Sequence, residues 1–508
     1  MDLIIRILSS PTAGLKSNVT SDNLVEVHIS RAILELDCLY NIFSFSICAP
    51  YVFYSRKEDL DPSLVERSIR MNIIPSLVDD LYNLIRVIDL LKINYKYVLY
   101  KRFHELARIF KDVKIYQAIA YRYLYSKDDR SSEIDSIVKK ILDLDNEIYI
   151  DSNIIRNLIR NRGGLLGEGV VRFRSEIGRI SEGLSIIKAL LDQSINPYLK
   201  IFRRIDLDLD QDITTRLPPP ERLITLPEGV IVRGLKATGR IIKRNSEKIS
   251  ASKNFLEKLS SARVREVEGL KVVEKRFLDV SSVKWFFTSP VLEILKRYGI
   301  SMTTDPLNRL WNDYIYSIRL RKLGLNTPRI LYVDPWGYKM IREYVDARDV
   351  LTSIIKESDQ NIIESICRDL GRVLALIHRN GICLSDSNPR NFLVERSSNK
   401  IYVIDLEQTS ECSNINNMSW DLSMMIYFSY LISSQKHHIK ISPCVRNLIE
   451  GYARSYEDRE RLESVLRNLD NPLYLTIFIT ASSLIFSPIS TAAIYKAYSV
   501  LKEVKNII

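Results

Sequence analysis

From Ile377 the chain reads Ile-His-Arg-Asn-Gly-Ile-Cys-Leu-Ser-Asp-Ser-Asn-Pro-Arg-Asn-Phe-Leu-Val, and from Lys400 it reads Lys-Ile-Tyr-Val-Ile-Asp-Leu-Glu. A helix can run as far as Gly381, because glycine closes helices in the left-handed conformation. The loop after it carries Asp386 and, five residues on, Asn391. Two short apolar runs follow, Phe392 to Val394 and Ile401 to Ile404, separated by turn residues Ser397-Ser398-Asn399. They predict a hairpin whose second strand closes on Asp405. The half of the chain that carries this stretch reads as strands first and helices after, an α+β arrangement.

Such a hairpin gathers three oxygen-bearing side chains at one end of a small sheet. Hard cations such as Mg²⁺ prefer carboxylate and amide oxygens and leave other positions to water and phosphate. Asn391 and Asp405 suit the metal, and Asp386 suits proton acceptance from a hydroxyl nucleophile. The plain alternative is a polar loop of capping Asp and Asn residues. The fixed spacing and the intervening hairpin argue against it.

The rest of the chain divides by texture. From about Leu60 to Lys200, apolar residues recur every three or four positions, as in Leu81, Leu84, Ile85, Ile88, Leu91 and in Ile134, Ile137, Ile141, Leu144. This predicts an all-α N-terminal domain over residues 1–215. Pro218-Pro219-Pro220 cannot continue a helix, so a boundary is expected there. Strand-like runs follow at Gly229–Val232, Gly269–Val273 and Arg329–Val333, around one helix near Trp311 to Leu323. Helical spacing returns at about Asp349 to Asn380 and from Trp420 onward. No internal repeat is found.

A chain of 508 residues with 46% hydrophobic and 27% charged residues is globular in composition, which excludes wholesale disorder and a polytopic membrane protein. The stretches Cys38–Ser55, Leu422–Ser434 and Pro472–Tyr495 are apolar, but polar residues, prolines or short length argue for buried core, so no stable membrane span is expected. No secretory signal is read at the start. Six cysteines without a Cys-x-x-Cys pair give no expectation of disulfides or structural zinc and fit a reducing, cytoplasmic setting. Six glutamines beside abundant charge hint at a thermophilic source. The net charge of +11 permits a phosphate-bearing partner. Arg233, Lys236, Arg240, Lys243, Arg244, Lys248 and Lys253 make segment 233–258 basic, which reads first as a solvated face, with contact to a nucleic acid such as tRNA or rRNA as the sharper alternative. Asp206–Asp212 lacks the glycine and the closing Glu of a calcium loop and reads as an acidic linker. His378, at the end of an apolar helix, reads as a structural histidine beneath the loop, and His437-His438 has no ligand partner at metal spacing.

The Asp386-x-x-Pro-x-Asn391 segment, Ile404-Asp-x-Glu407 and Trp420-Asp-Leu422 resemble the catalytic loop, metal-binding strand and bracing helix of protein-kinase-like phosphotransferases. The likeness is to the atypical branches: RIO kinases, the small kinase of the tRNA-threonylcarbamoylation (KEOPS) complex, lipopolysaccharide-core sugar kinases, and aminoglycoside and choline phosphotransferases. It covers roughly Ser246 to the carboxyl terminus. The resemblance implies a bilobal domain, with an N-lobe over 216–345 and a C-lobe over 346–508, that uses ATP and Mg²⁺. It implies that Lys275 contacts phosphates, that Asp313 on the following helix pairs with it, and that Asp386 serves the acceptor while Asn391 and Asp405 hold metal. It further implies that Asp421 braces the loop, that Glu343 and Tyr344 lie at the adenine hinge, and that Ser260 and Ser261 lie in the phosphate-covering turn. The chain departs from the pattern in several places. Asp313 is a methylene shorter than the usual Glu, Leu384-Ser385 replaces His-Arg, and Glu407 stands where Gly is usual and could lend a further carboxylate to the metal. Gly164–Val171 has better glycine spacing than Leu259–Arg263 but lies too far from Lys275, and reads as a loop. The expected activity is transfer of the ATP γ-phosphoryl to a hydroxyl acceptor of protein, small-metabolite or RNA-associated kind. The alternatives are a pseudokinase or ATP-binding module, and an RNA-associated ATPase of the RIO or tRNA-modification type.

Overall fold

The structure, a computed structural model, describes residues 3–8, 16–20, 24–30, most of 81–160, 217–233, 262–267, 269–277 and nearly all of 300–504, with a few positions between 63 and 70. Ser260, Ser261, the Asp206–Asp212 run, Gly164–Val171 and segment 234–258 lie outside the described residues. The chain folds as two compact units, Met1–Pro227 and Glu228–Ile508.

The first unit mixes helices with strands, which corrects the all-α expectation. β1 (Leu3–Leu8) pairs in parallel with β3 (Leu24–Ser30), which pairs antiparallel with β2 (Lys16–Thr20). The first is an almost continuous run of Leu and Ile, the third alternates Val25, Val27 and Ile29 with polar residues, and the helical spacing that predicts an all-α domain begins only near Leu60. Next come β4 (Lys92–Asn94), α1 (Lys96–Ile109), α2 (Lys114–Tyr125), α3 (Asp129–Ile141), β5 (Tyr149–Ile150) and α4 (Ser152–Arg160). Ile134 and Val138 of α3 are buried with Leu142 and Leu144 beyond it. The proline run closes this unit: Tyr100 Oη donates to the Pro218 carbonyl at 2.7 Å, and β6 (Ile224–Thr225) pairs with β4.

In the second unit β7 (Val230–Ile231), β8 (Ala262–Val267), β9 (Leu270–Arg276), β10 (Ile330–Asp334) and β11 (Lys339–Glu343) form one sheet of order β7-β10-β11-β9-β8. Helix α5 (Pro306–Lys322) lies between β9 and β10 in sequence, started by Pro306 and by the Asp305 side chain, which accepts from the Asn308 N–H at 2.7 Å. After β12 (Ala347–Asp349) come α6 (Val350–Lys356), α7 (Gln360–Arg379), β13 (Ile382–Cys383), the β14 (Phe392–Glu395) and β15 (Ile401–Val403) hairpin, and β16 (Ser410–Glu411). Helices α8 (Ile415–Ile432), α9 (His438–Ser455), α10 (Arg459–Arg467), α11 (Pro472–Ile485) and α12 (Ile489–Val504) complete it.

One apolar cluster runs through these helices, from Leu374 and Ile377 to Met425, Tyr427, Leu448 and Leu501. α7 and α9 cross at a pair of glycines. A Cβ on Gly371 would lie 2.7 Å from the Tyr452 nitrogen and closer still to the Leu448 carbonyl, and one on Gly451 would strike the Arg368 carbonyl. Beside this crossing Cys367 is disulfide-bonded to Cys444, and Cys383 is bonded to Cys412 across β13 and β16. All four cysteines among the described residues are therefore paired, which corrects the expectation of none and removes the premise for a reducing compartment. None of the described helices is long and apolar enough to cross a membrane.

Candidate active site

The hairpin sets the metal-suited pair. Phe392 stands opposite Val403, and the Ile404 N–H donates to the Asn391 carbonyl at 2.9 Å, so Asn391 and Asp405 leave the same end of the two strands. Asn391 Nδ2 donates to the Asp386 carbonyl at 2.9 Å, which ties loop to hairpin. Ser385 (φ 59°) and Asp405 (φ 60°) are both left-handed, a conformation that disfavours side chains with a Cβ by about 1 kcal/mol or more. Strain at the residues flanking this loop is held by the surrounding bonds.

The bonds around Ser385 come from α8. Asp421 is fully buried, and its Oδ2 accepts from the Leu384 N–H at 2.7 Å and lies 3.1 Å from His378 Nε2. Trp420 Nε1 donates to the Ser385 carbonyl at 2.9 Å, and Ser387 Oγ donates to the Asp421 carbonyl at 2.5 Å. The second His378 nitrogen meets the Tyr452 hydroxyl at 2.9 Å. His378, Cys383 and Asp421 offer their ligand atoms within 4.8 Å of one another, but the Cys383 sulfur is committed to Cys412, so this trio is a brace and not a metal site.

Opposite the loop stands Lys275, 6% exposed, on β9 between Ala262 of β8 and Met340 of β11. Its Nζ lies 3.0 Å from Asp313 Oδ2 and 3.1 Å from Glu407 Oε2, and it also meets Asp405 Oδ1. Asp313, without exposed surface, is bound on its other oxygen by Arg342 at 2.7 Å and by the Leu406 N–H at 3.1 Å. Despite its shorter side chain, Asp313 does reach the lysine. Burial opposes charge on both partners, but Arg342 and Lys275 outweigh it and lower the Asp313 carboxyl. Asp313, Asp405 and Glu407 likewise raise Lys275. Asp386 is half-buried, and loss of water contact followed by repulsion from Asp405 and Glu407 pushes its carboxyl up to about 7, against hydrogen bonds from Asn391 and the Asn388 backbone. The acidic groups around Asp405 supply the oxygen donors a divalent cation needs, and Asn391 and Asp405 fit one.

The remaining expected residues lie apart. Glu343 ends β11, and its carboxylate takes the Arg329 N–H and Nε, each at 2.8 Å, rather than joining the lysine cluster. Tyr344 is 36% exposed, with the Lys271 ammonium 5.8 Å from its ring centre. The sequence reading did not single out Arg309 or Arg342. Arg309 stands one helical turn before Asp313, a spacing visible in the sequence, whereas Arg342 is reached only through strand pairing.

Residues 318–434 match the lipopolysaccharide kinase (Kdo/WaaP) family. The KEOPS complex subunit bud32 of Dictyostelium discoideum is 24% identical over 111 residues, 21% of this chain and 44% of that protein. A probable bifunctional tRNA threonylcarbamoyladenosine biosynthesis protein of Methanococcus maripaludis is 26% identical over 160 residues, 32% of this chain and 26% of the relative. A probable serine/threonine-protein kinase BUD32 homolog of Archaeoglobus fulgidus is 27% identical over 144 residues, 28% of this chain and 65% of the relative. The matches thus span from about a quarter to just under two thirds of these relatives. The C-terminal unit of the chain is similar to atypical protein-kinase-like branches, those of the lipopolysaccharide kinases and the Bud32 kinases of KEOPS.

Proposed function

We propose that the C-terminal unit is a bilobal, ATP- and Mg²⁺-dependent phosphotransferase that moves the γ-phosphoryl group to a hydroxyl acceptor. The observation that carries the reading is the meeting of Lys275 and Asp313 with Asp405, at the open end of the hairpin that also holds Asp386 and Asn391. Phosphoryl transfer asks a protein mainly for alignment and for charge on the phosphates. Lys275, turned from Asp405 toward the nucleotide, supplies positive charge. Asp386, with a carboxyl near neutrality, takes the proton as the acceptor oxygen attacks phosphorus and ADP leaves. Bound Mg²⁺ would neutralise phosphate charge, held by Asn391 and Asp405. Glu343 and Tyr344 belong to the hinge in this reading.

The test is a thermal shift with Mg²⁺ and ATP, followed by γ-phosphate release. The wild-type chain is expected to do both, and Asp405→Ala to lose turnover by about a hundredfold or more. Full activity in Asp405→Ala refutes the assignment, and a shift without release marks an ATP-binding module. A second reading, an RNA-associated ATPase of the tRNA-modification type, is favoured by relatives named for tRNA threonylcarbamoyladenosine biosynthesis. It expects salt-sensitive RNA binding that maps to segment 233–258.

A further inference from the structure

Arg309 is 2% exposed and points into the cluster from the same face of α5 as Asp313. Its Nη2 lies 2.5 Å from Glu407 Oε1, and its Nη1 donates to the Phe277 carbonyl, just past β9, at 3.2 Å. The other Glu407 oxygen lies 3.1 Å from Lys275 Nζ, and the Glu407 backbone carbonyl accepts from Asn312 Nδ2 at 3.2 Å. Three neighbouring residues of α5 (Arg309, Asn312 and Asp313) thus grip Leu406 and Glu407, the two residues after Asp405.

We propose that Arg309 and Glu407 are a positioning pair that docks α5 against the hairpin so that the short Asp313 can reach Lys275. The inference rests on the phosphotransferase reading for its catalytic meaning. An aspartate is shorter than a glutamate by one carbon, about 1.5 Å of reach, so the helix itself must come closer. A guanidinium with almost no water contact is stable only where its charge is paired, so α5 cannot slide or turn without breaking the Arg309–Glu407 bond. Both Glu407 oxygens already face cations, Arg309 on one side and Lys275 on the other, so its task is to hold the helix rather than to bind the metal.

The decisive variant is Arg309→Met with Glu407→Met in the full chain, because removing both partners avoids leaving one buried charge alone. The single variants Arg309→Met and Glu407→Gln accompany it. Turnover is measured as phosphate release from ATP over a range of ATP and Mg²⁺ concentrations, with hydrogen exchange across 306–322 and melting temperature alongside. The proposal expects the double variant to fold, with kcat down about tenfold or more, KM within about threefold, unchanged Mg²⁺ requirement and faster exchange in α5. It expects the losses of the two single variants not to add in the double. Unchanged kcat and exchange in the folded double variant overturn it. So does an increased Mg²⁺ requirement in Glu407→Gln, which would make Glu407 a metal ligand. If the wild-type chain neither binds nor hydrolyses Mg·ATP, the phosphotransferase reading fails by itself, while exchange across α5 still decides whether the pair holds the helix.

Discussion

The disulfide between Cys367 and Cys444 joins α7 to α9 and closes a loop with a sequence separation of 77 that contains Asp386, Asn391, Asp405 and Asp421. Replacing both cysteines with alanine leaves the apolar packing nearly intact but frees that loop in the unfolded chain. Because the Cys383–Cys412 bond lies inside this loop and shortens it to about 48 residues, the chain-entropy relation assigns the outer bond about 4 kcal/mol and the inner one about 3 kcal/mol. At about 2–4 °C per kcal/mol for a domain of a few hundred residues, the first change lowers the melting temperature of the second unit by about 10 °C or more. Cys383→Ala with Cys412→Ala lowers it by somewhat less. The assay is thermal unfolding of both double variants without reductant, with free thiols titrated in the unfolded wild type. A drop below about 2 °C for the first pair, a larger drop for the second, or six free thiols would refute the account. Intracellular chains of ordinary organisms rarely keep such bonds, whereas those of hyperthermophiles do, so the outcome also bears on the thermophilic hint in the composition.

Gly371→Ala places a methyl group against the Leu448 carbonyl and Tyr452 nitrogen and is expected to cost about 3 kcal/mol, seen as a clear loss of melting temperature; an unchanged melt contradicts the glycine crossing. Asp313→Ala leaves Lys275 and Arg342 without their shared carboxylate and is expected to destabilise by about 3–5 kcal/mol in denaturant unfolding, more than a solvent-facing charge could account for. Asp386→Asn is expected to raise stability. The folded carboxyl titrates near 7, above its unfolded value, so above pH 7 the native state carries a charge it disfavours. The gain in melting temperature is full there and shrinks as pH falls toward the unfolded value near 4, and a gain that grows on acidification refutes the sign.

The part of the site legible in the sequence was the local part. Asp386, Asn391 and Asp405 lie within twenty residues, and a two-strand hairpin leaves little choice about which end they share. Lys275 and Asp313 could be ordered along the chain but not measured, since an Asp in place of Glu reaches the lysine only if its helix moves in. The Arg309–Glu407 bond spans 98 positions, and nothing in the local pattern around either residue selects the other. The cysteine pairs were hidden for the same reason, being brought together by a helix crossing and a two-residue strand pair. The missed strands β1 to β3 show a different failure. β3 carries a clear alternation and β1 an apolar run, but β2 is mostly polar, and the strong helical period of the residues after Leu60 dominates the pattern of the whole region.

The two sides of the site are held by different forces, and this determines how a ligand must enter. The loop and hairpin rest on apolar core, two disulfides and the Trp420–Asp421–His378 bonds, none of which a nucleotide would disturb. Lys275 of β9 reaches the hairpin through ion pairs, with a small apolar cluster around Val272 and Ile341 in its sheet, whereas α5 combines charges with Tyr316 and Leu320 packed into the same core as Val403 and Leu406. In the phosphotransferase reading, the three donors of Lys275 already face Asp313, Asp405 and Glu407, so a phosphate would have to displace one of these carboxylates, and the apparent affinity would be lowered by the fraction of molecules still closed. In the same reading Asn391 and Asp405 would hold the cation, which would give Asp405 a replacement partner for the lysine. Metal and nucleotide should therefore bind with positive coupling, while Asp313, held from its far side by Arg342, keeps α5 near the sheet as Lys275 changes partners.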